Sequence, residues 1–172
     1  MIEKCDIFGF LVTGIGVTPS SGTIAVKVQE TTLNNNSVGV SVAPTGSGFA
    51  NVSIESSHLD NNVGGGIKIA GAANVAITDS SISLNSSNGL NAVSSGHNIN
   101  VDLERVVISN NGLAGVQSNQ SGGGAVIVTV GSSTLSNNGT AWSILNGATL
   151  LSFKNNQVTG PTGGTPGTAS FQ

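Results

Sequence analysis

The stretch Ser57-His58-Leu59-Asp60-Asn61-Asn62 lies between Asn51-Val52-Ser53-Ile54 and Gly66-Ile67-Lys68-Ile69, and its pattern recurs along the whole chain. A short apolar strand is followed by a small polar residue, an apolar residue, an Asn three places later, then Gly and a second apolar strand. Aligning one apolar position with its partner five residues on gives Ile2/Ile7, Val28/Leu33, Ile54/Leu59, Ile77/Ile82, Leu103/Ile108, Val130/Leu135 and Phe153/Val158. Successive copies stand 26, 26, 23, 26, 27 and 23 residues apart. A period of this length marks a stack of supersecondary units, none of which buries its apolar face alone.

Within each copy the spacing is firmer. Asn36, Asn62, Asn85, Asn111 and Asn138 each stand three residues beyond the second apolar position. Further on come Gly14-Ile15, Gly39-Val40, Gly66-Ile67, Gly89-Leu90 and Gly115-Val116, with Ala141-Trp142 as the sixth version. Alternate residues then stay apolar, as in Ile67/Ile69 and Trp142/Ile144, and period two means strand. No copy holds an amphipathic run long enough for a helix. The expected fold is therefore all-β: a parallel solenoid over residues 1–160, about seven turns of 23–27 residues with three short strands each. At ~4.8 Å per turn it makes a rod on the order of 30 Å long. Like residues stack inward, and the Asn column is expected to accept left-handed backbone angles at the bend while its amides bond from turn to turn.

The Asn-Val-x-Ile strand, the Ser-x-Leu-x-x-Asn bend and the Gly-Ile-x-Ile strand together resemble the right-handed parallel β-helix proteins of the pectate-lyase-like superfamily. Hexapeptide helices need a six-residue period, and calcium-binding nonapeptide rolls need recurring Gly-Gly-x-Gly-x-Asp; the chain has neither pattern. The resemblance implies a right-handed coil. It raises polysaccharide lyases, pectin-degrading hydrolases, esterases and uronate epimerases as functions, and an extracellular or cell-surface setting.

Composition narrows the field. The chain of 172 residues holds 25 Gly, about twenty Asn and only 8% charged residues. A net charge of −3 with five Lys plus Arg provides no basic stripe for nucleic acid. No apolar run approaches the length of a membrane span. Cys5, alone, allows no internal disulfide and no Cys-based zinc site. No basic segment with an apolar core precedes the first strand, so either no export signal is used or the chain is a piece of a longer one. Gly160-Pro161-Thr162-Gly163-Gly164-Thr165-Pro166-Gly167 ends the repeat, and residues 161–172, Phe171 included, read as a flexible tail.

Few residues offer chemistry. The hydrolases that the resemblance suggests carry paired Asp, Gly-His-Gly and Arg-x-Lys; in this chain Gly96-His97-Asn98 is the nearest match and sits in a loop of variable length. Lyases need clustered carboxylates for calcium. The densest acidic group is Glu55, Asp102 and Glu104, all beside inward positions and so facing out, with Asp102 and Glu104 about 7 Å apart and Glu55 roughly 10 Å away. Such separations suit a catalytic carboxylate pair, and they equally suit solvated acids on a regular rod. Asp79 with Arg105, and Lys4 with Glu30, share a phase in consecutive turns and should form ion pairs. Trp142 takes a core slot, His58 points outward, and Cys5 falls in an inward column of small residues with Thr31, Ser57, Ser80 and Ser133.

The first turn lacks a polar cap. Phe10 stands where later turns carry Asn, beside Phe8 and Leu11. Two readings are open: upstream residues cover this end, or an identical subunit does, through a bare sheet edge. The functional expectation is a non-catalytic structural or binding rod, with self-association through Phe8, Phe10 and Leu11. The alternative is a polysaccharide lyase or glycoside hydrolase built on Glu55, Asp102 and Glu104. No cofactor is expected, other than calcium if the lyase reading holds.

Overall fold

The computed structural model describes residues 1–94 and 96–170; Ser95 in one loop, and Phe171 and Gln172 of the expected tail, lie outside the described residues. Every named element is a strand, and the strands form three parallel sheets that the chain visits in rotation. The first sheet takes Ile2–Glu3, Thr23–Gln29, Phe49–Glu55, Ala73–Thr78, Ile99–Glu104, Val126–Gly131, Thr149–Ser152 and Gly167–Thr168. The second is made of shorter strands, running from Asp6–Phe8 through His58–Asp60 to Gln157–Val158. The third runs from Thr13–Val17 to Thr140–Leu145. Among the described residues six coils contribute to all three sheets, and a seventh contributes to the first two and touches the last strand of the third, with a bridge between Ser143 and Gly163.

The register follows the sequence columns. Ile2, Val28, Ile54, Ile77, Leu103 and Val130 pair in order, and all from Val28 onward are buried. Each fully buried Ile or Leu contributes about 1.5–3 kcal/mol, so a core of stacked β-branched side chains stabilises a rod that has few aromatic residues. The last member departs from the expectation. Val130 pairs with Ser152, not Phe153, while Val158 does pair with Leu135. In each coil the residue two after the inward position has positive φ: Lys4, Glu30, Ser56, Asp79, Arg105, Ser132 and finally Lys154. From Arg105 to Ile108 is three residues, but from Lys154 to Val158 is four. One extra residue in the last corner moves Phe153 to the outward row.

The second corner divides two tasks that the sequence suggested one Asn performs. The left-handed residue is the one before the ladder: Gly9, Asn35, Asn61, Leu84, Asn110, Asn137 and Gly160 all have positive φ. The ladder Asn instead carries the hydrogen bonds. Opposite it the chain needs a small residue, since a Cβ at Gly39 would stand 2.6 Å from the Gly66 carbonyl oxygen and 3.2 Å from Asn62 Nδ2. This explains the recurring Gly-Ile.

Residues 161–169 run back over the last coil. The Ala141 N–H donates to the Pro161 carbonyl at 2.8 Å, the Ile144 N–H to Gly163 at 2.8 Å and the Ala169 N–H to Ser152 at 3.0 Å. Trp142, buried in the slot next to Val116, donates its Nε1–H to the Gly164 carbonyl at 3.3 Å. At the opposite end, among the described residues, the apolar side chains of the first coil are uncovered: Phe8 is 64%, Phe10 52% and Leu11 94% exposed.

Candidate functional site

The bends place polar residues in columns, and the most complete is internal. Asn36, Asn62, Asn85, Asn111 and Asn138 are all buried. Each Oδ1 accepts the backbone N–H of the preceding coil, from Phe10 N to Asn36 Oδ1 at 3.1 Å through Asn111 N to Asn138 Oδ1 at 3.0 Å. Each Oδ1 after the first also accepts the Nδ2–H of the Asn before it, at 2.9–3.2 Å. The Nδ2 group donates in addition to a carbonyl one coil back, as Asn85 does to Leu59 O at 3.0 Å. Buried amides are tolerable because donors and acceptors are both met. The interior rungs of this column therefore spend their donors and acceptors within the coil.

A hydroxyl column lines the other corner. Thr31 N donates to Ser57 Oγ at 3.2 Å and Ser57 N to Ser80 Oγ at 3.1 Å, while Ser57 and Ser80 donate back to the Glu55 and Thr78 carbonyls. Val106 interrupts it before Ser133. Cys5 occupies the first place in this column but is only half-buried, and its Sγ–H donates to the Glu3 carbonyl at 3.2 Å. The expectation of a buried thiol fails there because Cys5 belongs to the end coil.

The outward rows of the first sheet hold the acids expected to carry chemistry. Glu55 and Glu104 share one row with Thr78 between them, while Asp102 lies in the next row with Lys27, Ser53 and Ala76. The Glu55 carboxylate is 2.9 Å from Lys27 Nζ, and Glu104 lies 3.6 Å from Arg105 Nη1, with both acid side chains more than a third exposed. Asp102 is exposed at the end of a groove of about 460 Å3 lined by Ala25, Lys27, Asn51, Asn74 and Ala76 as well. The three carboxylates thus lie on one face without converging on a point.

Arg105 grips Asp79 across one coil, with Nε 2.7 Å and Nη2 2.9 Å from the two carboxylate oxygens. Those hydrogen bonds hold the Asp79 carboxyl below its usual value; slight desolvation opposes the shift and the guanidinium charge adds to it. Lys4 and Glu30 stand 3.9 Å apart, also as the phase match suggests.

Two groups were not singled out from the sequence. Asn51, Asn74 and Asn100 form an exposed second ladder, with Asn74 Nδ2 donating to Asn51 Oδ1 at 3.2 Å and Asn100 Nδ2 to Asn74 Oδ1 at 3.0 Å. Its signal was present, since each Asn precedes an inward Ile or Leu by three residues. On the second sheet Ser81 Oγ donates to Asp60 Oδ2 at 2.9 Å and lies 2.8 Å from His58 Nδ1. With its proton directed to Asp60, Ser81 accepts from His58, which is the wrong polarity for a base-activated nucleophile. His97 stays in its loop, where its carbonyl accepts from Ser94 Oγ.

Among the described residues no group of three or more His, Cys, Asp or Glu is placed to hold a metal ion, and no helix is long and apolar enough to cross a membrane. In comparisons with known proteins, the family model described as right handed beta helix region matches residues 1–158. Neither curated proteins nor solved structures produced a match.

Proposed function

The chain belongs to the right handed beta helix family, and on that premise we propose that it acts as a non-catalytic structural or binding rod. The observation that carries this reading is the state of the candidate acids. Glu55 is engaged by Lys27 and Glu104 lies beside Arg105, on an open sheet face where solvent screens them. A general acid or base must be free to exchange its proton with a bound substrate, and both carboxylates stand against neighbouring cations instead. Self-association is assigned to the first coil, where Phe8, Phe10 and Leu11 are exposed beside unpaired strand edges. Light scattering across a concentration series tests it. A mass above the monomer that falls when Phe8 and Phe10 are replaced by Ser supports this interface; a strict monomer removes it.

The groove on the first sheet favours a second reading, a polysaccharide lyase or glycoside hydrolase. It offers a row of amides, a floor of small residues and one carboxylate, a surface suited to an extended polar ligand. A panel of acidic and neutral polysaccharides, assayed with and without calcium, separates the two. Product release abolished by Glu104→Gln or Asp102→Asn establishes the enzyme. Binding without turnover supports the rod as a binding module.

A further inference from the structure

The sequence contains the pair Asn-Gly at Asn88-Gly89, Asn111-Gly112, Asn138-Gly139 and Asn146-Gly147. In this pair the backbone nitrogen of Gly can reach the side-chain carbonyl carbon of Asn, since no Cβ on the second residue obstructs the approach. Attack requires that the Gly N–H be free and that the Asn carboxamide be able to turn.

The coil denies both freedoms at two of these places. Gly112 N–H is bound to the Asn85 carbonyl at 2.9 Å and Gly139 N–H to the Asn111 carbonyl at 3.1 Å. The Asn111 and Asn138 carboxamides are locked in the buried ladder. Asn88 is buried as well, its Oδ1 accepting from Ala114 N at 2.9 Å and its Nδ2 donating to Gln117 at 3.3 Å, and its Gly89 is packed against the Gly115 carbonyl. Asn146-Gly147 differs in each respect. Both residues are exposed and both have positive φ, 53° and 83°, in a tight turn closed by the Ala148 N–H on the Leu145 carbonyl at 3.0 Å. Among the described residues the Gly147 N–H makes no hydrogen bond, and nothing lies within 4 Å of where a Gly147 Cβ would stand. Among the described residues the Asn146 amide is held by one exposed bond, from Nδ2 to Asn119 Oδ1 at 2.8 Å.

We propose that Asn146 is a site of spontaneous deamidation, and that the coil shields the other three pairs. The Gly147 nitrogen, losing its proton to hydroxide, bonds to Asn146 Cγ. The Cγ–Nδ2 bond then breaks, ammonia leaves with a proton taken from water, and a five-membered succinimide remains. Water opens it at either carbonyl, producing an aspartyl or an isoaspartyl residue. The product exchanges the amide donor to Asn119 for a carboxylate. The isoaspartyl form also adds a methylene to the backbone, in the turn that delivers the chain to Thr149–Ser152 of the first sheet.

Peptide mapping by mass spectrometry after incubation at mildly alkaline pH, folded and in urea, tests this. The expected result in the folded protein is a gain of one mass unit at position 146, at least about tenfold faster than at Asn88, Asn111 or Asn138, because those react only through local opening. In urea all four pairs should convert at similar rates. Asn146→Gln and Gly147→Ala should each suppress the folded-state product. Conversion of Asn111 or Asn138 as fast as Asn146 in the folded protein overturns the proposal. So does an Asn146 that is unchanged when folded yet converts in urea.

Discussion

Two columns of Asn run along this rod, and they differ in burial, not in chemistry. Asn36, Asn62, Asn85, Asn111 and Asn138 stack inside the second corner; Asn51, Asn74 and Asn100 stack on the outer face of the first sheet. In both, Nδ2 of one amide donates to Oδ1 of its neighbour at coil spacing, toward the following coil in the inner column and toward the preceding coil in the outer. The inner column also holds backbone N–H and C=O groups that have no access to water, so losing one rung orphans several polar atoms. An outer rung that is lost is replaced by water. A ladder is therefore structural where it is buried, and a surface where it is not.

The largest expected effect breaks the inner column. Asn85→Ala leaves Asn62 N and Nδ2 without their shared acceptor, takes the amide donor from the Leu59 carbonyl, and leaves Asn111 Oδ1 with only the backbone N–H of position 85. Denaturant unfolding should show a loss of about 3 kcal/mol or more. Ser118 sharpens the comparison from the opposite side: it is fully buried between Ala92 and Ile144, and its hydroxyl has no partner among the described residues. Ser118→Ala should raise stability by about 1 kcal/mol, read as a higher denaturation midpoint. Asn74→Ala, in the outer column, should change stability by no more than about 0.5 kcal/mol. An effect equal to that of Asn85→Ala would show that stacking, not burial, sets the value of a rung.

The smallest effect concerns the exposed pair Asp79 and Arg105. Because the Asp79 carboxyl is held below its usual value of 3.8, its contribution is present above that pH and is lost as pH falls through the lowered folded-state value. Asp79→Asn should therefore flatten the acid limb of the stability profile slightly and leave neutral stability nearly unchanged. A shift of the neutral midpoint as large as that from Asn85→Ala would mean that this exposed pair stabilises the rod as strongly as a buried rung does.

Much of the fold was legible because a solenoid repeats its constraints. The spacing of Ile54 and Leu59, copied along the chain, identified the inward columns and the Asn ladder, and both lie where the repeat places them. Phe153 was misplaced because apolarity five residues before Val158 mimics the pattern, whereas the extra corner residue shows only in the backbone angles. The acids of the candidate site were correctly read as outward. That Glu55 finds Lys27 was not legible, since the partners lie in neighbouring rows on different coils and their side-chain directions decide the contact. The same holds for Ser81 between His58 and Asp60.

Period, β-branched alternation and the recurring Asn and Gly determined by themselves that this chain coils into a parallel β-solenoid, because each turn can bury its apolar residues only against a copy of itself. Tertiary structure alone decided how the polar residues divide their work. In the second corner the left-handed bend belongs to Asn61 and the hydrogen bonds to Asn62, one residue apart and alike in sequence. It also decided that residues 161–169 lie across the last coil, while Phe8, Phe10 and Leu11 of the first are exposed. Those outcomes depend on which donors and acceptors water can still reach, and water is excluded only once the coils are stacked.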